Sequence, residues 1–215
     1  MKHSINILLL VVLLHARLLG QTDPINAIRS GFYINLGPVF PTGKYATEQK
    51  VVEHEAWPPD TLIFPRAKIG GAMDMGFLIY IGPAFASNKL RIGIDATFLS
   101  MWFNSSNPYK NYSEDYHKLW YYYVGQKFGP VFSINPVDRL IIDLWYKINA
   151  YMSWHAYTWG SNIFQQEVSL HLRYRIMMFG LLYNFGSVNY DDWNDANPNY
   201  WIPNATFRVM IGFKF

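Results

Sequence analysis

Apolar and polar residues alternate through most of the chain. In the last eleven residues, ATFRVMIGFKF, Phe207, Val209, Ile211, Phe213 and Phe215 share one parity, while Arg208, Met210, Gly212 and Lys214 share the other. A period of two marks a strand with one apolar and one mixed face. The same alternation predicts strands over 31–40, 67–80, 89–101, 119–134, 138–152 and 163–175, then a seventh ending near Gly186 and a final one over 205–215. Between them, 42–65, 102–118, 153–162 and 187–204 read as long polar loops, with Pro58-Pro59 breaking the first. Short turns are predicted at 82–88, at Asn135-Pro136 and near 176–178. The spacing Arg139, Asp143, Lys147 also suits one face of a helix, but the Tyr, Trp and Ile enrichment favours strands.

Eight strands joined by alternating long and short connections are the rhythm of an outer-membrane β-barrel, with short periplasmic turns and longer outer loops. The expected fold is therefore all-β, an eight-stranded antiparallel up-and-down transmembrane barrel over 31–215, preceded by a lead-in over 21–30. An even strand number leaves both termini periplasmic.

Charge decides which face is which. Within the strands the charges keep one parity: Lys68 and Asp74; Arg91 and Asp95; Arg139, Asp143 and Lys147; Glu167, Arg173 and Arg175; Arg208 and Lys214. Facing Arg or Lys to mid-bilayer lipid costs ~2–4 kcal/mol each, so this parity is predicted to point inward. Eight strands leave an interior just wide enough for side chains. The expectation is a barrel plugged by ion pairs among Asp74, Arg91, Asp95, Lys127, Asp143, Lys147, Arg173 and Arg208.

Composition agrees. Aromatic residues make up 18% of the chain and charged ones only 15%, below the quarter usual in soluble domains. After residue 20 no apolar run is long enough for a membrane helix. Residues 1–20 read as a signal peptide, with Lys2 and His3 ahead of an apolar stretch. Its removal takes away Lys2 and Arg17 and lowers the formal charge from +3 to +1, so charge gives no support to nucleic-acid binding. With no cysteine, neither a disulfide nor a lipid-modified N-terminal cysteine is available. Seven of the eight tryptophans (Trp57, Trp102, Trp120, Trp154, Trp159, Trp193 and Trp201) fall in or beside the long connections. An aromatic girdle at the membrane–water interface accounts for them; a carbohydrate or partner platform is the alternative.

The segment GFYINLGPVFPTGKY, the loop rhythm and the terminal FKF together resemble the small eight-stranded outer-membrane barrels of the OmpA/OmpX type. That resemblance is one of architecture, across the mature chain. It implies an integral outer-membrane protein and gives Phe213 and Phe215 the role of an assembly signal for the barrel-assembly machinery. The family's glycine in that signal is here shifted to Gly212.

Catalytic and metal chemistry is sparse. Ser153-Trp154-His155 with Glu167 could make a serine–histidine–acid set, as in the lipid A deacylase barrels. Their His-x-Ser order is reversed here, and the strand parity turns Ser153 inward, away from lipid. Asp191, Asp192, Asp195, Asn194 and Asn197 offer oxygen ligands without the spacing of a Ca²⁺ loop. His54, His117, His155 and His171 show no metal-ligand spacing, and the three Asn-x-Ser/Thr sequons, at Asn104, Asn111 and Asn204, read as chance. No cofactor or metal is expected.

The reading is a non-catalytic structural or docking protein of the cell envelope. Its surroundings would be outer-membrane lipid and lipopolysaccharide, with other envelope proteins as partners and no nucleic acid. A narrow channel or binder for small apolar solutes is the alternative, followed by a lipid A-modifying hydrolase. A secreted lipocalin-like binder would need an apolar interior and an early Gly-x-Trp, which the chain lacks.

Overall fold

The alternating segments form β1 (Gly31–Thr42), β2 (Gln49–Val52), β3 (Thr61–Phe64), β4 (Ala67–Phe85), β5 (Leu90–Lys110), β6 (Tyr116–Val137), β7 (Leu140–His155), β8 (Thr158–Tyr174), β9 (Met177–Asp191) and β10 (Asn199–Lys214). The computed structural model describes residues 28–43, 49–52, 61–64, 66–86, 89–110, 116–137, 139–155, 158–191 and 199–215, and no α-helix occurs among them. The segment with helix-compatible spacing, β7, is a strand. Predicted signal residues 1–20 lie outside the described residues.

Eight strands close in the order β1-β10-β9-β8-β7-β6-β5-β4. Each barrel pairing is antiparallel, and the ring shuts where Tyr33 faces Lys214 and Thr42 faces Ala205. Closure removes the unpaired strand edges that an open sheet would expose. A separate short hairpin, β2 with β3, rides in the first long connection.

The connections after β4, β6 and β8 gather at one end, here called the lower end. The described ends of the chain lie there too. The Arg91 guanidinium donates to the Ile28 carbonyl (2.5 Å), the Lys214 amide to Ile176 (2.8 Å) and the Phe215 amide to Phe32 (2.7 Å). Ala86, Arg139 and Arg175 take left-handed φ of 50°, 64° and 57° in these turns. The last turn thus falls at Arg175-Ile176, slightly earlier than expected, without the glycine or asparagine that usually fills such positions.

The upper loops are shorter than the sequence predicts. β5 and β6 leave only 111–115 between them, β7 and β8 only 156–157, and β9 and β10 only 192–198. Segments read as loop are paired ribbon: Lys110 faces Tyr116, His155 faces Thr158, and Asn199 faces Asp191. Ribbon that rises past the apolar band has no reason to keep one apolar face. The alternation fades there although the pairing continues.

The barrel is sorted with polar groups inside. Asn35, Asp74, Asp95, Lys127, Asp143, Lys147, Glu167, His171, Arg173 and Arg208 are buried in the interior. Ile79, Ile92, Phe128, Leu144, Leu170, Phe179 and Ile211 are exposed on the outer wall. Lys68, Arg139 and Arg175 are exposed, which corrects their expected inward placement. Arg139 and Arg175 belong to turns, and Lys68 sits in a register shift between Ala67 and Gly70.

β5 breaks its own parity. Arg91, Gly93, Asp95 and Thr97 turn toward the interior, a register shift intervenes between Thr97 and Ser100, and from there Ser100, Trp102 and Asn104 point inward. A bulge adds one residue and so reverses every side chain beyond it. Interior glycines make room for large neighbours: a Cβ on Gly76 would lie 2.6 Å from the Tyr33 hydroxyl, and one on Gly180 equally close to the His171 ring.

On the outer wall near the lower end, Phe32 is the hub of an aromatic cluster. Its ring centroid lies 5.4 Å from that of Phe77, 6.1 Å from Phe98 and 6.3 Å from Phe215, so the cluster links β10, β1, β4 and β5 across the closure. Aromatic pairs contribute about 0.5–1.5 kcal/mol each, and Phe32→Ala is expected to lower the free energy of unfolding in detergent micelles by roughly 1.5–4 kcal/mol. Phe40→Ala removes one ring contact among the described residues across the same closure, with Phe207 at 6.4 Å, and should cost about 0.5–1.5 kcal/mol. Equal losses would show that the Phe32 cluster does not tie the strands together.

Candidate functional site

The interior is built in layers. In the lowest, Arg173 of β8 forms a buried ion pair with Asp143 of β7, donating from Nε to Oδ2 and from Nη2 to Oδ1 at 2.9 Å. The same Nη2 donates to the Tyr80 hydroxyl at 2.6 Å, and Ser133 donates to Asp143. Four strands, β4, β6, β7 and β8, therefore meet on one carboxylate. Below it the Lys214 ammonium donates to the Arg29 carbonyl at 2.5 Å.

In the middle layer Lys147 sits 2.7 Å from Asp95 and donates to Thr97 at 3.0 Å. Tyr33 donates to Asp95 at 3.0 Å from the far wall. The ammonium also lies 4.0 Å from the Trp145 ring centroid, an orientation favoured by the ring's negative face. Trp145 stacks on His171 at 3.9 Å.

Above, Lys127 lies between two carboxylates, Asp74 at 2.8 Å and Glu167 at 2.7 Å, all three fully buried. Ser100 donates to the other oxygen of Asp74 at 2.6 Å. The Arg208 guanidinium lies over the Trp102 ring at 4.2 Å. Asn184 turns its amide oxygen to accept from Arg208 at 2.9 Å in the orientation that satisfies both groups. An apolar cap of Val39, Ala67, Trp102, Tyr121, Tyr123, Tyr151 and Val188 closes this layer.

Apart from Lys214 at the lower rim, the buried charges among the described residues are four carboxylates (Asp74, Asp95, Asp143, Glu167) and four cations (Lys127, Lys147, Arg173, Arg208). They cancel. Chemically such an interior can lock strands together.

Of the residues expected in this network, Asp74, Asp95, Lys127, Asp143, Lys147, Arg173 and Arg208 lie buried in it. Arg91 does not. It sits at the lower rim and donates to the carbonyls of Ile28 and Gly82, because β5 begins there, below the layers of charge. Glu167, a bridging partner of Lys127, has the inward parity expected of it but is absent from the predicted set of ion pairs. Tyr33 and Tyr80 went unnoticed because phenols are ambiguous between wall and interior.

Of the expected girdle, Trp102 is a correction: it is 2% exposed, stacked on Tyr123 at 4.1 Å inside the barrel, because the β5 bulge turns it inward. Trp120 and Trp154 are placed on the outer wall. Trp120 lies 5.8 Å from Phe103, and Trp154 stacks on Tyr122 at 5.4 Å. Trp201 is exposed. Trp57 and Trp193 lie outside the described residues, as does the side chain of Trp159. Phe213 is exposed on the outer wall, and Phe215 belongs to the Phe32 cluster.

Ser153 is buried and faces inward; the side chain of His155 lies outside what the structure describes, and Glu167 is committed to Lys127. Residues 192–198, with the candidate Ca²⁺ ligands Asp192, Asn194, Asp195 and Asn197, lie outside the described residues too, as does the side chain of Asp191, and no group of three potential metal ligands occurs among the described ones.

Comparison with known proteins adds little beyond the chain's own register. No family model matches it, and no curated protein does. Among solved structures it is similar to Ail, the attachment invasion locus protein of Yersinia pestis, with 11% identity over 87% of this chain and 100% of that one, at a TM-score of 0.45. In architecture the chain is a closed eight-stranded antiparallel barrel.

The bridging ammonium is the weak point of the network. Lys127→Met would leave Asp74 and Glu167 buried without their shared cation, and breaking such a pair costs about 3–5 kcal/mol. Denaturant unfolding in micelles should show that loss. Adding Asp74→Asn and Glu167→Gln should recover most of it, since replacing a whole buried ionic group is often neutral.

Proposed function

We propose that this chain is an integral outer-membrane protein whose barrel is a closed plug, serving as a non-catalytic structural or docking element of the cell envelope. The observation that carries this reading is the sorting of the wall: paired charge within, and apolar side chains exposed all around the outside. In water that outer band would be a large exposed apolar surface of the kind that soluble monomers avoid. In a bilayer it is the lipid-facing surface, and the closed sheet satisfies its backbone internally. The short-turn end, holding the described chain ends, would face the periplasm.

Strand length supports docking. The 22 residues of β6 at ~3.3 Å each and a tilt near 40° rise roughly 55 Å, against an apolar band ~25 Å tall. The upper ribbons would stand well clear of the membrane, where other envelope proteins could reach them.

An axial conduit is disfavoured by side chains that bridge the lumen at three levels. The native protein reconstituted in planar bilayers is expected to show no ion conductance; discrete steps would overturn the plug. For the absence of catalysis, the expected result is that lipid A mass spectra are identical in cells producing the native chain and the Ser153→Ala variant. A change that disappears with Ser153 would make the chain an enzyme.

A further inference from the structure

The outer wall is not smooth. A trough of about 410 Å³ opens on it across β1, β4, β5, β6 and β7, with Leu36, Met73, Met101, Phe103, Tyr122 and Trp154 among its lining. That is within the ~300–1,000 Å³ of ordinary ligand pockets. Its origin is local. Gly71 pairs with Phe103, one residue beyond the inward-facing pair Ala72 and Trp102, so it is the outward position on β4 at this level. It brings no side chain. Pro38 opposite it on β1 contributes only a short ring. The Phe103 ring lies in the space this leaves, 3.1 Å from where a Gly71 Cβ would stand, and Met73 and Met101 line the trough beside it.

The trough's surroundings specify an occupant. It lies in the upper part of the band read as lipid-facing, so the medium continuous with it is hydrocarbon. Three of its lining rings, Phe103, Tyr122 and Trp154, form one outward row with Trp120 beside the trough, rings that favour the interfacial level. Above it on β4, Lys68 and Arg66 are exposed. Lys68 is three residues from Gly71, or ~10 Å at ~3.3 Å per residue, about where the head group of a lipid with its chain in the trough would sit. Apolar walls, an aromatic rim and two cations beyond the rim match an amphiphile with a hydrocarbon tail and an anionic head.

We infer that this trough is a lipid-binding site that seats one acyl chain of a phosphate-bearing membrane lipid, with Lys68 and Arg66 holding the phosphate. The site depends on the membrane placement given under Proposed function and adds a specific position and lipid class to it. Tails are as apolar as the wall, so solvophobic force alone does not select a lipid here. Selection comes from the fit of the tail and from the two cations, each worth about fivefold near an anionic surface.

The test uses the full barrel in vesicles of phosphatidylcholine doped with phosphatidylglycerol whose acyl chain carries a diazirine. After irradiation, labelled residues are mapped by peptide mass spectrometry. The expected result is labelling concentrated on Met73, Met101 and Phe103 over belt residues such as Leu144 and Leu170. Gly71→Phe, which fills the trough from its floor without entering the interior, should abolish that concentration. Met73→Trp, filling it from the side, serves the same purpose should the first variant fail to give a heat-modifiable folded band. Lys68→Gln with Arg66→Gln should cut the preference over a diazirine phosphatidylcholine by about fivefold per residue. Uniform labelling around the belt, unchanged in the filled variants, would overturn the site and leave the membrane reading intact. No acyl labelling anywhere on a folded barrel would overturn both.

Discussion

Lys127, held between Asp74 and Glu167, shows the constraint on which the rest of the barrel depends. Those three groups come from β6, β4 and β8, and they meet because eight strands enclose a space only about one layer of side chains wide. A charge on any inner wall can reach a partner on another, and must, since a lone buried ion costs several kcal/mol. The balance of four carboxylates against four cations follows from that demand. The aromatic faces of Trp145 and Trp102 supplement it by covering Lys147 and Arg208, giving the cations a second contact where carboxylates are few.

With the charges gathered inside, the outer wall is free to be apolar, and its composition is loosely specified. Many positions there require only that the side chain be apolar. The interior is different: Gly76 must stay small for Tyr33 to reach Asp95, and Gly180 for His171 to stack on Trp145. The two faces of one strand thus obey different rules, one of solubility in oil and one of shape and charge. The trough beside Gly71 is where the looser rule is locally suspended, since a position without a side chain, against which the Phe103 ring lies, is a shape as well as a surface.

The strands and the side on which charges fall were legible because alternation is a property of single strands. The inward parity of Asp143, Lys147, Arg173 and Arg208 was marked by their spacing, whereas Asn135-Pro136, read as the turn before β7, lies within the end of β6. Which charge pairs with which was not legible. Lys127 and Glu167 are 40 positions apart and meet across the barrel, a relation that no linear pattern encodes. Trp102 was misplaced because one added residue in β5 reverses parity without changing composition. The upper ribbons were taken for loops because outside hydrocarbon neither face of a strand has to be greasy. Arg175 gave no turn signal, since its left-handed φ is adopted by a residue that seldom takes it.

The closure between β1 and β10 carries a kinetic consequence. Most other barrel neighbours are joined by turns of a few residues, so their pairing is a succession of local hairpins. The ends of the ring are brought together by contacts such as Lys214 with Arg29, separated by 185 positions. Loop-closure entropy grows only logarithmically with length, but it falls here on a single step. Assembly should therefore run as fast zippering of a curved open ribbon, followed by one slow search in which the last edge finds the first, and opening of the finished ring should begin at the same place.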